Sequence, residues 1–179
     1  MEDLFTVQSR ASHIKLLLMD CDGVLTDGQL LLLENGDEQK LFNVRDGQGL
    51  VLLHRAGLKS GVISGRRSSF VERRARELGI NYLRQGSLDK TQVFSELLKA
   101  AEVDAREVAF VGDDLADIPL MRLVGLAVAV ADAAAETQSV AHYVTGFAGG
   151  RGAVRETVEL ILKAQGRWDE LVERFLRGD

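Results

Sequence analysis

Two aspartates separated by a single residue are the part of the chain best equipped for chemistry. Asp20 and Asp22 come directly after a short apolar run, Leu16–Met19. Such a run predicts a strand buried on both faces, and because side chains alternate along a strand, the two carboxylates should share a direction. Two carboxylates this close both stay ionised only if a cation or strong donors hold them. The pair therefore predicts either a cation site or a solvated strand end.

Three further polar features also follow predicted strands. They are Ser64, Lys90 and the adjacent pair Asp113 and Asp114. Each alone is compatible with a turn, a solvated side chain or a helix cap, but the carboxyl ends of parallel strands face one crevice. Oxygen ligands without a histidine cluster favour Mg²⁺ over zinc, and Mg²⁺ with an ammonium and a hydroxyl suits a phosphoryl group. Lys90 would begin a helix, where a cation is unfavourable unless an anionic group lies nearby.

The elements that must position these residues alternate between strands and helices. This alternation predicts an α/β fold with a doubly wound, Rossmann-like, mostly parallel sheet flanked by helices. We expect one domain over residues 1–179, a loose arm over residues 1–13, and Asp117 as the cap of a helix that contains Pro119. The predicted strands are residues 14–19, 59–63, 81–83, 108–111, 126–130 and 143–144, and the other predicted helices are residues 50–56, 68–78, 90–101, 153–163 and 168–176.

A β-hairpin is predicted over about residues 29–44, inserted after the first strand. Asn35-Gly36 lies between two extended-looking runs, and this dipeptide favours the type I′ turn of a hairpin. Leucines occupy both faces of the first arm, and exposed leucines on an edge invite pairing. We therefore expect the hairpin to be buried against another subunit; the alternative is that it folds back on its own domain. The C-terminal tail, about residues 166–179, is predicted to be helical.

Composition excludes several classes of protein. The 179 residues are 46% apolar and carry a net charge of −5 with no long basic run, so nucleic acid and membrane surfaces are not expected partners. No apolar run approaches the roughly 18 residues of a membrane span. The acidic start has no signal-peptide pattern, and a single cysteine fits a reducing compartment. These features predict a cytoplasmic protein.

With these features in place, the chain resembles the haloacid dehalogenase superfamily of phosphohydrolases. The resemblance rests on four motifs in order, covering about residues 14–165: Asp20-Cys21-Asp22-Gly23-Val24-Leu25-Thr26-Asp27-Gly28, Ser64, Lys90, and Gly112-Asp113-Asp114 with Ala116 and Asp117. It implies that Asp20 attacks phosphorus and forms an aspartyl phosphate. It also implies that Asp22 protonates the leaving alkoxide and then activates the hydrolytic water.

The same resemblance implies the ligands of the metal and of the phosphoryl group. Mg²⁺ would be held by the Asp20 carboxylate, the Asp22 backbone carbonyl and Asp113, with Asp114 acting through water. Ser64, Lys90 and the backbone N–H of Gly23 would hold the transferring oxygens. Phosphoryl transfer agrees with this set, since it needs mainly charge neutralisation and alignment.

Members of this superfamily often carry a cap domain, inserted either after strand one or between the Ser64 and Lys90 motifs. Here the first segment holds only the hairpin, and the second has room only for a helix and a short strand. The enzyme is therefore predicted to be capless. Three stretches, Phe42–Gly49, Ile63–Ser69 and Gly149–Glu156, together with the hairpin resemble the 3-deoxy-D-manno-octulosonate (KDO) 8-phosphate phosphatase subfamily. That resemblance implies a phosphorylated sugar-acid substrate, a role in lipopolysaccharide precursor synthesis, and a homotetramer in which hairpins assemble. It also implies that a neighbour's C-terminal segment covers the site.

The sugar acid needs contacts beyond the phosphate. Gly65 and Arg66, which follow Ser64, are predicted to bind the substrate. Arg66 could place its guanidinium on a carboxylate, or it could be a solvated turn residue. Asp46 could accept sugar hydroxyls, or it could cap the first helix. The Gly149–Gly152 stretch could be a lid hinge or a plain loop before a helix.

Three alternatives remain open. A sialic-acid-type 9-phosphate phosphatase needs the same phosphate chemistry, so the sequence does not separate it from the main prediction. A phospho-accepting receiver domain shares the sheet, but it carries its acidic pair after strand one and its acceptor aspartate after strand three. A non-catalytic oligomerisation module should have lost Asp20 or Asp22, and both are present.

Overall fold

The computed structural model describes residues 6–34, 38–87 and 89–178, which form a parallel sheet flanked by helices. Its strands are β1 (Leu16–Met19), β2 (Leu31–Leu32), β3 (Glu38–Gln39), β4 (Lys59–Ser64), β5 (Tyr82–Gln85), β6 (Val108–Gly112), β7 (Leu126–Ala129) and β8 (Tyr143–Val144). Its α-helices are α1 (Val7–Ser12), α2 (Val44–Arg55), α3 (Ser69–Leu78), α4 (Lys90–Ala101), α5 (Ile118–Met121), α6 (Ala135–Val140), α7 (Ala153–Ala164) and α8 (Trp168–Arg177).

The main sheet has the strand order β5-β4-β1-β6-β7-β8, and every pairing in it is parallel. The chain builds β1, β4 and β5 in one direction and then returns to add β6, β7 and β8 on the other side. The order therefore reverses between β1 and β6, and ligands bind at such a switch point in doubly wound sheets. The predicted fold class is confirmed, and the six-stranded sheet is wholly rather than mostly parallel.

The central strands are buried on both faces. Every residue of β1, β6 and β7 is buried, which explains their continuous apolar runs. One group of helices, α1, α2, α3, α7 and α8, is joined by contacts between neighbours, and α4, α5 and α6 form a second. Rigid, fully buried strands hold the residues at their carboxyl ends in fixed positions.

The N-terminal segment differs from the predicted loose arm. Residues 7–12 form α1, capped by Thr6, whose hydroxyl accepts a hydrogen bond from the Ser9 backbone N–H at 3.1 Å. Ala11 is buried, and α1 packs on α7. A helix this short is stabilised by tertiary packing, which local sequence does not reveal.

Helix α2 begins at Val44, six residues earlier than predicted. Asn43 caps it by accepting a hydrogen bond from the Arg45 N–H at 2.8 Å. Gly47 and Gly49 lower the helix propensity of this first half. The structure explains one of them, since a Cβ on Gly49 would lie 3.1 Å from the backbone of Arg155 in α7. Close packing of α2 on α7 therefore requires a small residue here.

The hairpin insertion is present, although its paired part is short. Strands β2 and β3 are antiparallel, with Leu31 opposite Gln39. The predicted Asn35-Gly36 turn lies outside the described residues. Leu31 and Leu32 are 56% and 68% exposed, so the hairpin does not bury them on its own domain. The predicted tail helix is also observed, as α8, and none of the described helices is long and apolar enough to cross a membrane.

Candidate active site

The predicted site residues occupy the carboxyl edge of the sheet at its switch point. Asp20 follows β1, and its backbone N–H donates to the Val111 carbonyl of β6 at 3.0 Å. Asp113 follows β6, and Ser64 is the last residue of β4. Lys90 is the first residue of α4, whose cap Asp89 accepts hydrogen bonds from two backbone N–H groups. The fold thus places all four sequence motifs at this edge.

Lys90 is the cation of a buried triad. Its Nζ lies 2.9 Å from Oδ1 of Asp20 and 2.7 Å from Oδ1 of Asp117. Burial lowers the pKa of Lys90, but the two carboxylates outweigh that effect and raise it above its usual value. The sequence expectation that an anionic group must accompany a lysine at this helix start agrees with the geometry.

Three carboxylates converge on one point. Oxygens of Asp20, Asp113 and Asp117 all lie within 4.8 Å of one another. Burial raises the pKa of Asp20 to about 6, with Lys90 opposing the shift and Asp117 adding to it. Burial, followed by repulsion from Asp20 and Asp117, raises the pKa of Asp113 to about 7. One lysine does not neutralise this cluster, and an all-oxygen donor set is what a hard divalent cation prefers.

Gly23 has a structural reason to be glycine. Its φ is +90°, a conformation that other residues rarely adopt, and a Cβ there would lie only 2.5 Å from Cγ of Asp113. The loop after β1 therefore approaches the Asp113 carboxylate as closely as a backbone can. This approach brings the Gly23 backbone to the carboxylate cluster, as its expected phosphate-contacting role requires.

Asp117 and Asp114 differ in burial and in hydrogen-bond partners. Asp117, predicted as a helix cap, makes no side-chain cap bond to α5; it is buried, and its Oδ2 accepts the Asp113 N–H at 3.0 Å. Asp114, predicted as a metal residue, is exposed and accepts the Leu115 N–H at 2.7 Å. The signal that could have identified Asp117 is its position four residues after Asp113, on the turn that closes back toward β6.

Asp22 is surrounded by cations from two segments. Its Oδ1 accepts a hydrogen bond from the ammonium of Lys40, and its Oδ2 lies 4.0 Å from Nε of Arg66. Arg66 in turn pairs with Glu38 of the hairpin. Sequence reasoning missed Lys40. No local signal identified it, because the buried position of Lys40 depends on the carboxylate of Asp22, 18 residues away.

Ser64 and Cys21 are the uncharged candidates at this edge of the sheet. Ser64 is buried, and its hydroxyl accepts the Arg66 backbone N–H at 3.2 Å, which fixes the turn through Gly65. Cys21 is fully buried, and burial raises the pKa of its thiol to about 12, so it remains a packed, protonated side chain. The hydroxyl of Ser64, rather than the thiol, is the neutral polar group of this edge.

Asp46 is buried and bonded to the backbone of α7. It is 1% exposed, and its two carboxylate oxygens accept the backbone N–H groups of Gly152 at 3.2 Å and Arg155 at 2.8 Å. It therefore caps helix α7 from α2. The sugar contact of Asp46 stays a prediction, whereas the alternative cap of its own helix is wrong, because Asn43 occupies that position.

The glycine-rich stretch before α7 packs against the loop that follows β1. The Gly150 N–H donates to the Val24 carbonyl at 2.8 Å, and Arg151 pairs with Asp27 at 3.0 Å. A Cβ on Gly149 would overlap the Gly23 carbonyl. In this structure the stretch supports the site loop of its own chain, and its glycines permit the close contact of two backbones.

Known proteins with similar sequences and structures match nearly all of the chain. A model of haloacid dehalogenase-like hydrolases matches residues 79–156. The curated 3-deoxy-D-manno-octulosonate 8-phosphate phosphatase KdsC of Escherichia coli K12 is 48% identical over 164 residues, which are 92% of this chain and 87% of that protein.

Two crystal structures extend the similarity to the fold. A KDO 8-phosphate phosphatase from Yersinia pestis superposes with a TM-score of 0.90 at 47% identity, covering 91% of this chain and 88% of that one. One from Moraxella catarrhalis, in complex with magnesium, phosphate and KDO, superposes with a TM-score of 0.92 at 42% identity, covering 94% and 97%.

Proposed function

The chain belongs to the haloacid dehalogenase-like hydrolases, and on that premise we propose that it hydrolyses KDO 8-phosphate to KDO and phosphate, the reaction named for its relatives. The observation that carries the proposal is the cluster at the switch point. A nucleophilic carboxylate, Asp20, lies 2.9 Å from the ammonium of Lys90 and beside Asp113, where a phosphoryl group and its cation need opposite charges.

The first half of the reaction transfers the phosphoryl group to the protein. An oxygen of Asp20 forms a bond to phosphorus while the bond from phosphorus to the sugar oxygen breaks. The electron pair stays on that oxygen, which takes a proton from Asp22. We assign to Lys90 and Ser64 the contacts to the phosphoryl oxygens, because both are buried at the same edge.

The second half regenerates the carboxylate. A water molecule attacks phosphorus, gives its proton to Asp22, and displaces the oxygen of Asp20, so that inorganic phosphate leaves. Asp22 is then protonated for the next turnover. The 21% exposure of its side chain gives it access to both the leaving group and water.

The residues present fit a magnesium ion. Asp20, Asp113 and Asp117 supply a set of oxygen atoms. Burial, followed by repulsion between the carboxylates, raises the pKa values of Asp20 and Asp113, and a divalent cation would offset both effects. Asp20, Asp113 and the backbone carbonyl of Asp22 would hold Mg²⁺, with Asp117 positioning Lys90 and Asp113. Bound there, Mg²⁺ neutralises the charge that develops on the phosphoryl oxygens.

Arg66 is the residue we assign to the substrate carboxylate. It lies two residues after the buried Ser64, and 47% of its side chain is exposed, so the guanidinium can reach a ligand that enters from solvent. Its pairing with Glu38 orients the guanidinium. A guanidinium binds a carboxylate through two parallel hydrogen bonds, which suits a sugar acid better than a neutral sugar.

The hairpin is the surface we assign to a homotetramer. Leu30, Leu31, Leu32 and Leu41 are between 45% and 77% exposed, and an isolated two-stranded hairpin is marginally stable in water. Burial of these leucines against other copies of the hairpin would remove their apolar surface from water and stabilise the hairpin. We further propose that the chain acts as a single domain in the cytoplasm.

Phosphate release tests the function. The wild type should hydrolyse KDO 8-phosphate in the presence of Mg²⁺, and activity should disappear with a chelator. A preference for the nine-carbon keto-acid 9-phosphate would reassign the substrate within the same chemistry, whereas equal rates on hexose phosphates would remove the sugar-acid assignment. Asp20→Asn should abolish turnover, while Asp169→Asn, an exposed control on α8, should not. Wild-type rates in Asp20→Asn would contradict the covalent mechanism.

A further inference from the structure

The hairpin carries a buried lysine whose ammonium contacts the carboxylate of Asp22. We propose that Lys40 is a positioning residue that holds Asp22 in the orientation needed for proton transfer to the leaving group. The proposal rests on the acid role assigned to Asp22 under the proposed function. It concerns the orientation of the carboxylate and assigns Lys40 no contact with the substrate.

The return arm of the hairpin has an inverted pattern of exposure. Gln39 is exposed, Lys40 is 7% exposed, and Leu41 is 77% exposed. Side chains alternate along extended chain, so the arm turns its lysine toward the protein and its leucine toward solvent. A soluble hairpin folded only for its own stability would have the reverse arrangement. The inward face therefore serves the site.

A lysine is seldom buried unless its charge is paired, and here the partner is Asp22. The Lys40 side chain is 1% exposed, and its Nζ donates to Oδ1 of Asp22. The other oxygen, Oδ2, faces Arg66 at 4.0 Å, and Arg66 is held by Glu38 on the same hairpin. One carboxylate oxygen is thus anchored, and the second remains available at the side of the site that Arg66 borders.

Without this anchor, Asp22 has little to fix its direction. It precedes Gly23, whose positive φ belongs to a turn rather than to the strand. Among the described residues, the side-chain partners found for the Asp22 carboxylate are Lys40 and Arg66. A general acid must lie within hydrogen-bond reach of the oxygen it protonates, so loss of orientation weakens the transfer. In the wild type, as under the proposed function, the proton moves from Asp22 to the sugar oxygen while the bond from phosphorus to that oxygen breaks.

The test separates proton transfer from folding and from sugar recognition. Lys40→Met and a matched exposed control, Lys99→Met in α4, are compared with the wild type on phenyl phosphates of graded leaving-group basicity, with Mg²⁺ saturating. These substrates carry no sugar and no carboxylate. The value of kcat/KM reports the steps up to departure of the leaving group. Thermal unfolding and Mg²⁺ titration verify that each variant is folded and binds the metal.

The expected result is a loss that grows with leaving-group basicity. Relative to wild type, Lys40→Met should lose about tenfold more kcat/KM on phenyl phosphate than on p-nitrophenyl phosphate, part of the roughly 100- to 10,000-fold that general acid catalysis contributes. Lys99→Met should show no such trend. An equal loss on both substrates, or no loss, overturns the positioning role. A wild type inactive on every phosphate ester would instead refute the proposed function.

Discussion

Replacement of Gly23 by alanine tests how the loop after β1 and the Asp113 carboxylate are fitted together. The added Cβ would lie 2.5 Å from Cγ of Asp113, whereas ordinary contacts begin at 3.4 Å. The loop is itself held from behind by Gly149 and by the Gly150 hydrogen bond to Val24. The Asp113 carboxylate must therefore move by about 1 Å.

Gly23→Ala should have two separate effects, one on the free energy of folding and one on the rate of the reaction. A non-glycine residue at positive φ costs about 1–2 kcal/mol of folding free energy. A displacement of about 1 Å at a reacting centre can cost about 100-fold in rate, equivalent to about 2.7 kcal/mol of activation free energy. Gly57→Ala isolates the first effect, because Gly57 has a φ of +81° and a Cβ there would meet nothing within 4 Å.

The assay measures kcat on KDO 8-phosphate, Mg²⁺ affinity by calorimetry and thermal unfolding for both variants. We expect similar losses of stability in Gly23→Ala and Gly57→Ala, with the fall in kcat and the weaker Mg²⁺ binding confined to Gly23→Ala. Equal kcat in the two variants would refute the inference that Gly23 and Asp113 are fitted to each other. A much larger loss of stability in Gly23→Ala would show that the loop yields instead of the carboxylate.

Three further outcomes follow from the same contacts. The raised pKa values of Asp20 and Asp113 mean that the metal-free protein gains stability from protonation and loses it as the pH rises through about 6 to 7. Mg²⁺ should therefore raise Tm more at about pH 7.5 than at about pH 5, and an equal rise at both would contradict the assigned cluster. Asp46→Ala should cost about 1–2 kcal/mol in denaturant unfolding while kcat stays unchanged, since it removes the cap of α7; a raised KM with unchanged stability would support the predicted sugar contact instead. Leu31→Asp combined with Leu32→Asp should reduce the mass measured by light scattering, and an unchanged mass would remove the hairpin from the interface.

Local sequence signals were enough for the fold and for the positions of the four motifs. The central strands β1, β6 and β7 were predictable because each is a continuous apolar run, as Leu16–Met19 illustrates. Helices α3 and α4 began and ended close to where their capping residues indicated. The edge position of Asp20, Ser64, Lys90 and Asp113 followed from the rule that parallel strands share a carboxyl end.

Local sequence signals did not identify hydrogen-bond partners that are distant along the chain. Asp46 caps a helix about a hundred residues later, where its partner is Gly152, and Lys40 reaches Asp22 from 18 residues away. Spacing along the chain identifies a residue's neighbours in its own strand or helix, but it does not identify which other element packs against it. The role of Asp117 was missed for a related reason, since its position suits a helix cap and only the fold turns it toward Lys90.

The sequence by itself determined which chemical groups are available and at which edge of the sheet they gather, because residue type, the alternation of strands and helices along the chain, and side-chain alternation are local properties. Only the tertiary structure decided which carboxylate faces which cation. Asp117 rather than Asp114 joins Asp20 and Asp113, and a hairpin lysine anchors Asp22. The physical reason is that a buried charge is stable only beside a partner, and that partner is chosen by the packing of elements far apart along the chain.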